Sequence, residues 1–178
     1  MRHFAVAAIG RDRPGIVATV TRSLLEQQLN VEDSQMTILR GHFTMMLIIA
    51  GDDQLDVPQL RGSLERTARE LGLEAISLSE VTDVEAGPAT EPTHIVTVYG
   101  ADHPGIVAGI SAVLSAQGVN ITDLETRLAG SEEAPVYAML MEVALGDSPV
   151  ERVQAALDEA AGQAEVEISL RELDSEAL

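Results

Sequence analysis

The stretch that decides the fold is Gly10-Arg11-Asp12-Arg13-Pro14-Gly15-Ile16-Val17-Ala18, which returns as Gly100-Ala101-Asp102-His103-Pro104-Gly105-Ile106-Val107-Ala108. Further identities keep the same offset, pairing Leu24 with Leu114 and Asn30 with Asn120. A repeat this long exceeds the unit of a solenoid and indicates a duplicated small domain. We therefore predict two related domains whose shared loop has the same role in each.

Composition excludes several classes of protein. The 178 residues carry a formal net charge of −18, from 29 acidic and 11 basic residues, which repels nucleic acid and anionic membrane surfaces. Cysteine is absent, which excludes disulfides and thiol chemistry and suits the cytoplasm. No run approaches the ~18 apolar residues of a membrane-spanning helix. We interpret the apolar segment 4–9 as a strand rather than a signal peptide, because its counterpart 95–99 lies in mid-chain.

The spacing of apolar residues predicts the order β-α-β-β-α-β in each copy. Strands at 4–9 and 95–99 precede the loop, and apolar residues at helical spacing follow it. Next we expect two strands (34–40 and 43–50; 122–128 and 136–145), a helix (57–71; 149–161) and a last strand near 76–78 and 166–170. The second hairpin has a longer loop at 130–135. The simplest packing is α+β: two tandem ferredoxin-like domains, each a four-stranded antiparallel sheet with both helices on one face.

Domain boundaries follow from where the periodicity stops. We expect domain 1 at 1–83, a linker at 84–93, domain 2 at 94–173 and an acidic tail at 174–178. The linker segment contains prolines and acids and no apolar period. Domains this small are marginal alone, so we expect them to pack together or the chain to dimerise.

The third strand is apolar on both sides. Phe43, Met45, Leu47 and Ile49 alternate with Thr44, Met46, Ile48 and Ala50. A sheet with helices on one face ordinarily shows polar residues on the other. We expect the second face to be covered by the sister domain or a second chain; the alternative is that these thioether and small side chains tolerate exposure.

The loop has the chemistry of an amino-acid site. We expect Pro14 in the first helical turn, Gly15 to leave room for a ligand, and free amides there to bind a carboxylate. Asp12 would bind an ammonium group, and the Asn30 amide would reach the same site. The alternatives are that Asp12 only caps the helix and that Asn30 only turns the chain. Arg11 and Arg13 are interpreted as solvated loop charges, because Ala101 and His103 replace them.

The motif Gly-x-Asp-Arg-Pro-Gly-Ile-Val, then a helix, then Asn30-Val31-Glu32-Asp33-Ser34 resembles the signature of ACT domains, small amino-acid-sensing regulatory modules. The resemblance covers nearly the whole chain and is closest in the first copy. It implies family contact positions at Asp12, Asp102, Asn30 and Asn120. With the loop residues themselves, the predicted ligand-binding residues are Gly10, Asp12, Pro14, Gly15, Ile16 and Asn30, and Gly100, Asp102, Pro104, Gly105, Ile106 and Asn120. Many serine-sensing ACT domains have Asn where Asp12 stands, so a glycine-like or serine-like ligand is expected without a choice between them.

The resemblance also implies a role. ACT modules commonly pair side by side into an eight-stranded sheet with ligands at the interface, so a homodimer is expected. The chain would act on a protein partner, such as a transcription factor or a metabolic enzyme, without binding DNA or membranes. No catalytic residues, cofactor or metal are expected, and His3, His42, His94 and His103 have no metal-ligand spacing.

Three other functions fit the same fold. An acylphosphatase-like enzyme would use Arg13 with Asn30, although His103 replaces the arginine in the second copy. An RNA-recognition domain needs exposed aromatic and basic residues, whereas this chain has two Phe, two Tyr and no Trp. A structural scaffold without a ligand stays open.

Overall fold

The computed structural model of the protein describes residues 1–82, 91–131 and 134–173. Contacts divide the chain into two compact units, Met1–Ala86 and Gly87–Leu178. The predicted tail and most of the predicted linker lie outside the described residues. Thr93, predicted as the last linker residue, belongs to the second unit, since its amide donates to the carbonyl of Val143 at 2.9 Å and its carbonyl accepts from the amide of Leu173 at 2.9 Å.

Both units have the predicted βαββαβ order. The first consists of β1 (Arg2–Arg11), α1 (Ile16–Leu25), β2 (Asn30–Leu39), β3 (His42–Gly51), α2 (Val57–Leu71) and β4 (Ala75–Val81). The second consists of β5 (His94–Ala101), α3 (Ile106–Ala116), β6 (Asn120–Ser131), β7 (Ala134–Ala144), α4 (Val150–Ala164) and β8 (Val166–Glu172). The sheet orders are β2-β3-β1-β4 and β6-β7-β5-β8, with every pairing antiparallel. The tandem ferredoxin-like prediction is confirmed.

The predicted long loop at 130–135 is wrong in extent. β6 continues to Ser131 and β7 already begins at Ala134, with Ser131 opposite Ala134 in the ladder. Residues 130–131 and 134–135 therefore lengthen the two strands instead of belonging to an irregular loop. Cross-strand hydrogen bonds satisfy backbone groups that an open loop would leave to water.

Alternation along the central strands creates each core. In the first unit the helix-facing side of the sheet and the apolar stripes of α1 and α2 are buried together: Phe4, Val6, Ala8, Phe43, Met45, Leu47, Ile49, Ile16, Val20, Leu24, Leu60 and Leu64. The second unit repeats the arrangement with Val96, Val98, Met139, Met141, Val143, Ile106, Ile110, Leu114, Val153 and Leu157. Burial of these side chains supplies the main driving force for each unit.

The opposite face of the first sheet is less well covered. Met46 is 51% exposed, while Ile48 in the same row is half-buried. The prediction that a sister domain or second chain covers this face stays a prediction.

Helix ends follow the sequence signals in detail. Gly118, just after α3, has a left-handed φ of 73°, and Gln28 occupies the equivalent place with φ 58°. Asp56 caps α2, its carboxylate accepting from the amide of Gln59 at 3.0 Å. These caps fix where each helix begins and ends, and so the position of the loops between them.

Candidate functional site

The repeated loop follows β1 in the first unit and β5 in the second, each of which is an inner strand of its sheet. In the first unit, the amide of Asp12 donates to the carbonyl of Gly41 at 3.0 Å, which ties the loop to the β2–β3 turn. α1 begins only at Ile16, so the expectation that Pro14 lies in its first turn is wrong. Pro14 instead forms the turn with Gly15, whose φ of 96° is one that L-residues avoid.

The helix N-termini at both loops carry no side-chain cap among the described residues. The alternative that Asp12 serves as the helix cap is therefore wrong, and Gly15 and Gly105 occupy the cap position. A Cβ added at either glycine would meet no atom within 4 Å, so the space in front of each is open. First-turn amides and the helix dipole are thus accessible to an anion.

In the first unit this space is an open depression of about 460 Å³. It is lined by Asp12, Arg13, Pro14, Gly15, Ile16, Val17 and Ala18, with Met36 of β2 and Phe43 of β3. Ile16 lines the depression but is only 2% exposed as a whole residue. Four of the predicted site residues, Asp12, Pro14, Gly15 and Ile16, are thus brought together.

Gly10 and Gly100 have a different reason to be glycine. A Cβ on Gly10 would lie 3.0 Å from Leu73 Cδ2 and 3.1 Å from Leu73 Cα. A Cβ on Gly100 would lie 2.7 Å from Val166 Cγ1. The lack of a side chain at these glycines lets the residues at or just before the start of the last strand pack closely against β1 and β5. Packing therefore explains why both positions are glycine, and no ligand is needed for that explanation.

Asn30 and Asn120 lie at the far end of their sheets. Asn30 is opposite Ala50, which is opposite His3 at the start of β1, whereas the loop follows Arg11 at its end. The separation is one strand length, roughly 26 Å at the usual rise per residue. Asn120, opposite Ala144, is placed likewise. Within one unit neither asparagine reaches the loop, so that part of the expectation is wrong.

Arg13 and His103 are not simply solvated loop charges. Arg13 Nη2 donates to the carbonyl of Glu70 in the last turn of α2 at 3.3 Å. His103 Nε2 lies 2.8 Å from the carbonyl oxygen of Ala164, the last residue of α4. Both units thus fasten the loop to the end of their second helix, where a cation also complements the helix dipole.

The second loop has different surroundings from the first. A depression of about 260 Å³ lies between α3 and α4 and is lined by His103, Pro104, Gly105, Ile106, Gly109, Ile110, Val113, Ala160, Gln163 and Ala164. Hydrogen bonding to the carbonyls of Ala164 and Pro104 raises the pKa of His103. Burial, and then the carboxylate of Asp102, raises the pKa of Tyr137. The two loops have similar backbone conformations but different electrostatic environments.

Sequence reasoning missed the lining residues Met36 and Phe43. Their only signal was membership of an alternating strand, which does not reveal that the first-copy loop folds over them. The fastening role of Arg13 and His103 had a detectable signal, namely a side chain with N–H donors at the same position of both copies.

Alternative chemistries find little geometric support. Arg13 is at the loop end and Asn30 at the opposite end, so the acylphosphatase pair is not assembled. Within the ranges that the structure describes, no group of three His, Asp or Glu side chains could hold a metal ion. None of the helices described is long and apolar enough to cross a membrane.

Comparison with known sequences gives a consistent result. A family model of the ACT domain matches residues 2–77 and 93–171. The glycine cleavage system transcriptional repressor of Escherichia coli (strain K12) is 26% identical over 158 residues, 89% of this chain and 81% of the relative. A UPF0237 protein of Methanopyrus kandleri is 40% identical over 77 residues, 43% of this chain and 86% of the relative. The family match therefore occurs twice, once for each unit.

Solved structures show the same duplicated fold. The crystal structure of an unknown protein from Galdieria sulphuraria has a TM-score of 0.79 at 29% identity and covers 97% of this chain and 98% of that one. A crystal structure assigned to a glycine cleavage system transcriptional repressor has a TM-score of 0.74 at 19% identity and covers 97% of each chain. The second likeness concerns the fold alone.

Proposed function

The chain belongs to the ACT domain family, and from that premise we propose that it is a regulatory protein that senses a free amino acid at its two glycine loops. The observation that carries the proposal is the pair of uncapped helix N-termini facing open space at Gly15 and Gly105. A small zwitterion such as glycine or serine carries the carboxylate and the ammonium group that these sites would bind.

Each part of the ligand has a complementary group. The carboxylate would bind the first-turn amides of α1 and the positive end of its dipole. The ammonium group would bind the exposed carboxylate of Asp12. A few charge-assisted bonds at about 1.5–3 kcal/mol gross each, less association costs, give an affinity of roughly 4–8 kcal/mol, or millimolar to micromolar.

A second molecule would bring Asn30 to the site. β2 is an edge strand, nearly all of it exposed, with Met36 and Ile38 among its uncovered apolar residues. Antiparallel pairing of two β2 edges about a twofold axis sets the start of one strand beside the end of the other. Asn30 of one copy would then approach the loop of its partner, although it is a strand length from its own loop. We therefore propose a homodimer with ligands between β2 strands.

The output would be contact with another protein. The E. coli relative is a transcriptional repressor, and a net charge of −18 opposes direct binding to DNA. Ligand binding would favour one arrangement and so bias the affinity for a transcription factor or metabolic enzyme in the cytoplasm. No catalytic step is proposed.

Calorimetry with the twenty amino acids tests the sensor. We expect glycine or serine to bind the wild-type protein and Asp12→Ala to weaken binding at the first loop about tenfold or more, since the polar partner of the ammonium group is lost. Glu65→Ala, which removes one carboxylate from an exposed position of α2, is the matched control and should bind normally.

Two results would count against the proposal. If none of the twenty amino acids binds the wild-type protein, the ligand-free scaffold becomes the better account. If Asp12→Ala and Glu65→Ala bind equally well, the ligand lies elsewhere than at the loop.

A further inference from the structure

Both ring nitrogens of His103 face main-chain carbonyl oxygens. Nε2 lies 2.8 Å from the oxygen of Ala164, and Nδ1 lies 3.1 Å from the oxygen of Pro104. A carbonyl oxygen can only accept, and a neutral imidazole carries a single N–H. Both contacts are therefore hydrogen bonds only when His103 is protonated; in the neutral ring one nitrogen lone pair opposes an oxygen lone pair.

The contact with Pro104 acts directly on the candidate site. The carbonyl of Pro104 and the amide of Gly105 belong to one planar peptide group and point in opposite directions. A hydrogen bond that holds the oxygen against His103 consequently fixes the direction of the Gly105 N–H. That N–H is one of the loop amides, and the space in front of Gly105 is open.

The groups around His103 favour its cation. Asp102 contributes a carboxylate from the loop, and Glu165 contributes another from the residue after α4. Together with the two carbonyls they raise the pKa of His103 above the ordinary 6.5. Burial, and then the carboxylate of Asp102, raises the pKa of Tyr137 in β7, so Tyr137 stays neutral over the pH range in which His103 titrates. The paired contact is thus present at lower pH and lost as pH rises through the pKa of His103.

In the first unit a group that does not titrate makes the contact with the helix end. Arg13 Nη2 donates to the carbonyl of Glu70, and a guanidinium keeps its charge at every physiological pH. The duplicated loops therefore differ at one position in a way that pH can distinguish.

We propose that protonated His103 is the positioning residue of the second loop. Its two hydrogen bonds, to the carbonyls of Ala164 and Pro104, form what we call the clasp: they hold the loop against the end of α4 and orient the amide of Gly105. Amino-acid binding in the second unit therefore weakens when His103 loses its proton. The first loop, held by Arg13, does not change. The consequence for binding rests on the function proposed above; the clasp itself does not.

The clasp is tested by amide and imidazole NMR on the full chain between about pH 6 and about pH 9. We expect the Gly105 amide resonance to titrate with the midpoint of His103 and the Gly15 amide to show no such step. His103→Arg, which installs the first unit's residue, should remove the step at Gly105. A Gly105 resonance that ignores the His103 midpoint, or that titrates equally in His103→Arg, would overturn the clasp.

The consequence for binding is tested by calorimetry with glycine at the two ends of that range. One lost hydrogen bond predicts about fivefold weaker binding in the second unit at the higher pH, with no change for His103→Arg. Equal pH dependence in both proteins would overturn this consequence. If glycine binds neither protein at either pH while the Gly105 amide still follows His103, the sensor function fails for glycine and the clasp stands.

Discussion

Replacing Gly105 by alanine tests whether the loop depends on the positive φ that glycine allows. Gly105 has φ 106° and ψ −12°, outside the range that L-residues favour. The added Cβ would meet no atom within 4 Å, so no steric clash contributes. The cost is therefore the backbone cost alone, and we expect the second unit to lose about 1–2 kcal/mol of unfolding free energy.

The same change should affect ligand binding more strongly than stability. The backbone can relieve the strain by rotating the Pro104–Gly105 peptide, which re-aims the Gly105 amide away from the ligand. Losing one charge-assisted hydrogen bond of about 1.5–3 kcal/mol weakens binding roughly ten- to hundredfold.

Urea unfolding and calorimetry with glycine or serine measure the two effects. Gly146→Ala is the matched control, because Gly146 also has a positive φ, 55°, and open space around it. It follows β7 in the same unit, at the end of the sheet opposite the loop. It should lose a similar amount of stability and keep its affinity. If Gly105→Ala binds as well as Gly146→Ala, the loop amides do not hold the ligand.

Two further predictions concern the edge strand and the close packing at the loop. Ile38→Lys, at a 47% exposed position of β2, should weaken dimerisation in sedimentation experiments, whereas Leu25→Lys, at a 71% exposed position of α1, should not. Gly100→Ala should cost about 1–3 kcal/mol in urea unfolding, because its Cβ would lie 2.7 Å from Val166 Cγ1. The additional change Val166→Ala should recover part of that loss, and no recovery would refute the clash.

The order of elements was predictable because it depends on short-range signals. The strand that ends at Arg11, the helix that begins at Ile16 and the positive φ of Gly118 after α3 each follow from residues close in sequence. The extent of the second hairpin was not predictable in this way. Whether residues 130–135 pair or loop depends on cross-strand hydrogen bonds, and local composition carries no information about them.

The candidate site was predicted in part. Asp12, Pro14, Gly15 and Ile16 are neighbours in the chain, and the structure keeps them together. Asn30 was expected beside them because it begins the next strand, yet the antiparallel register carries it to the far end of the sheet.

The repeated sequence by itself determined that the chain carries two α+β units, each with a glycine-containing loop before a helix, since propensity and periodicity act over a few residues. Only the tertiary structure decided which side chains surround those turns. Met36, Phe43 and the last turns of α2 and α4 reach the loops from distant parts of the sequence. Their positions follow from sheet register and helix packing, which depend on the whole fold.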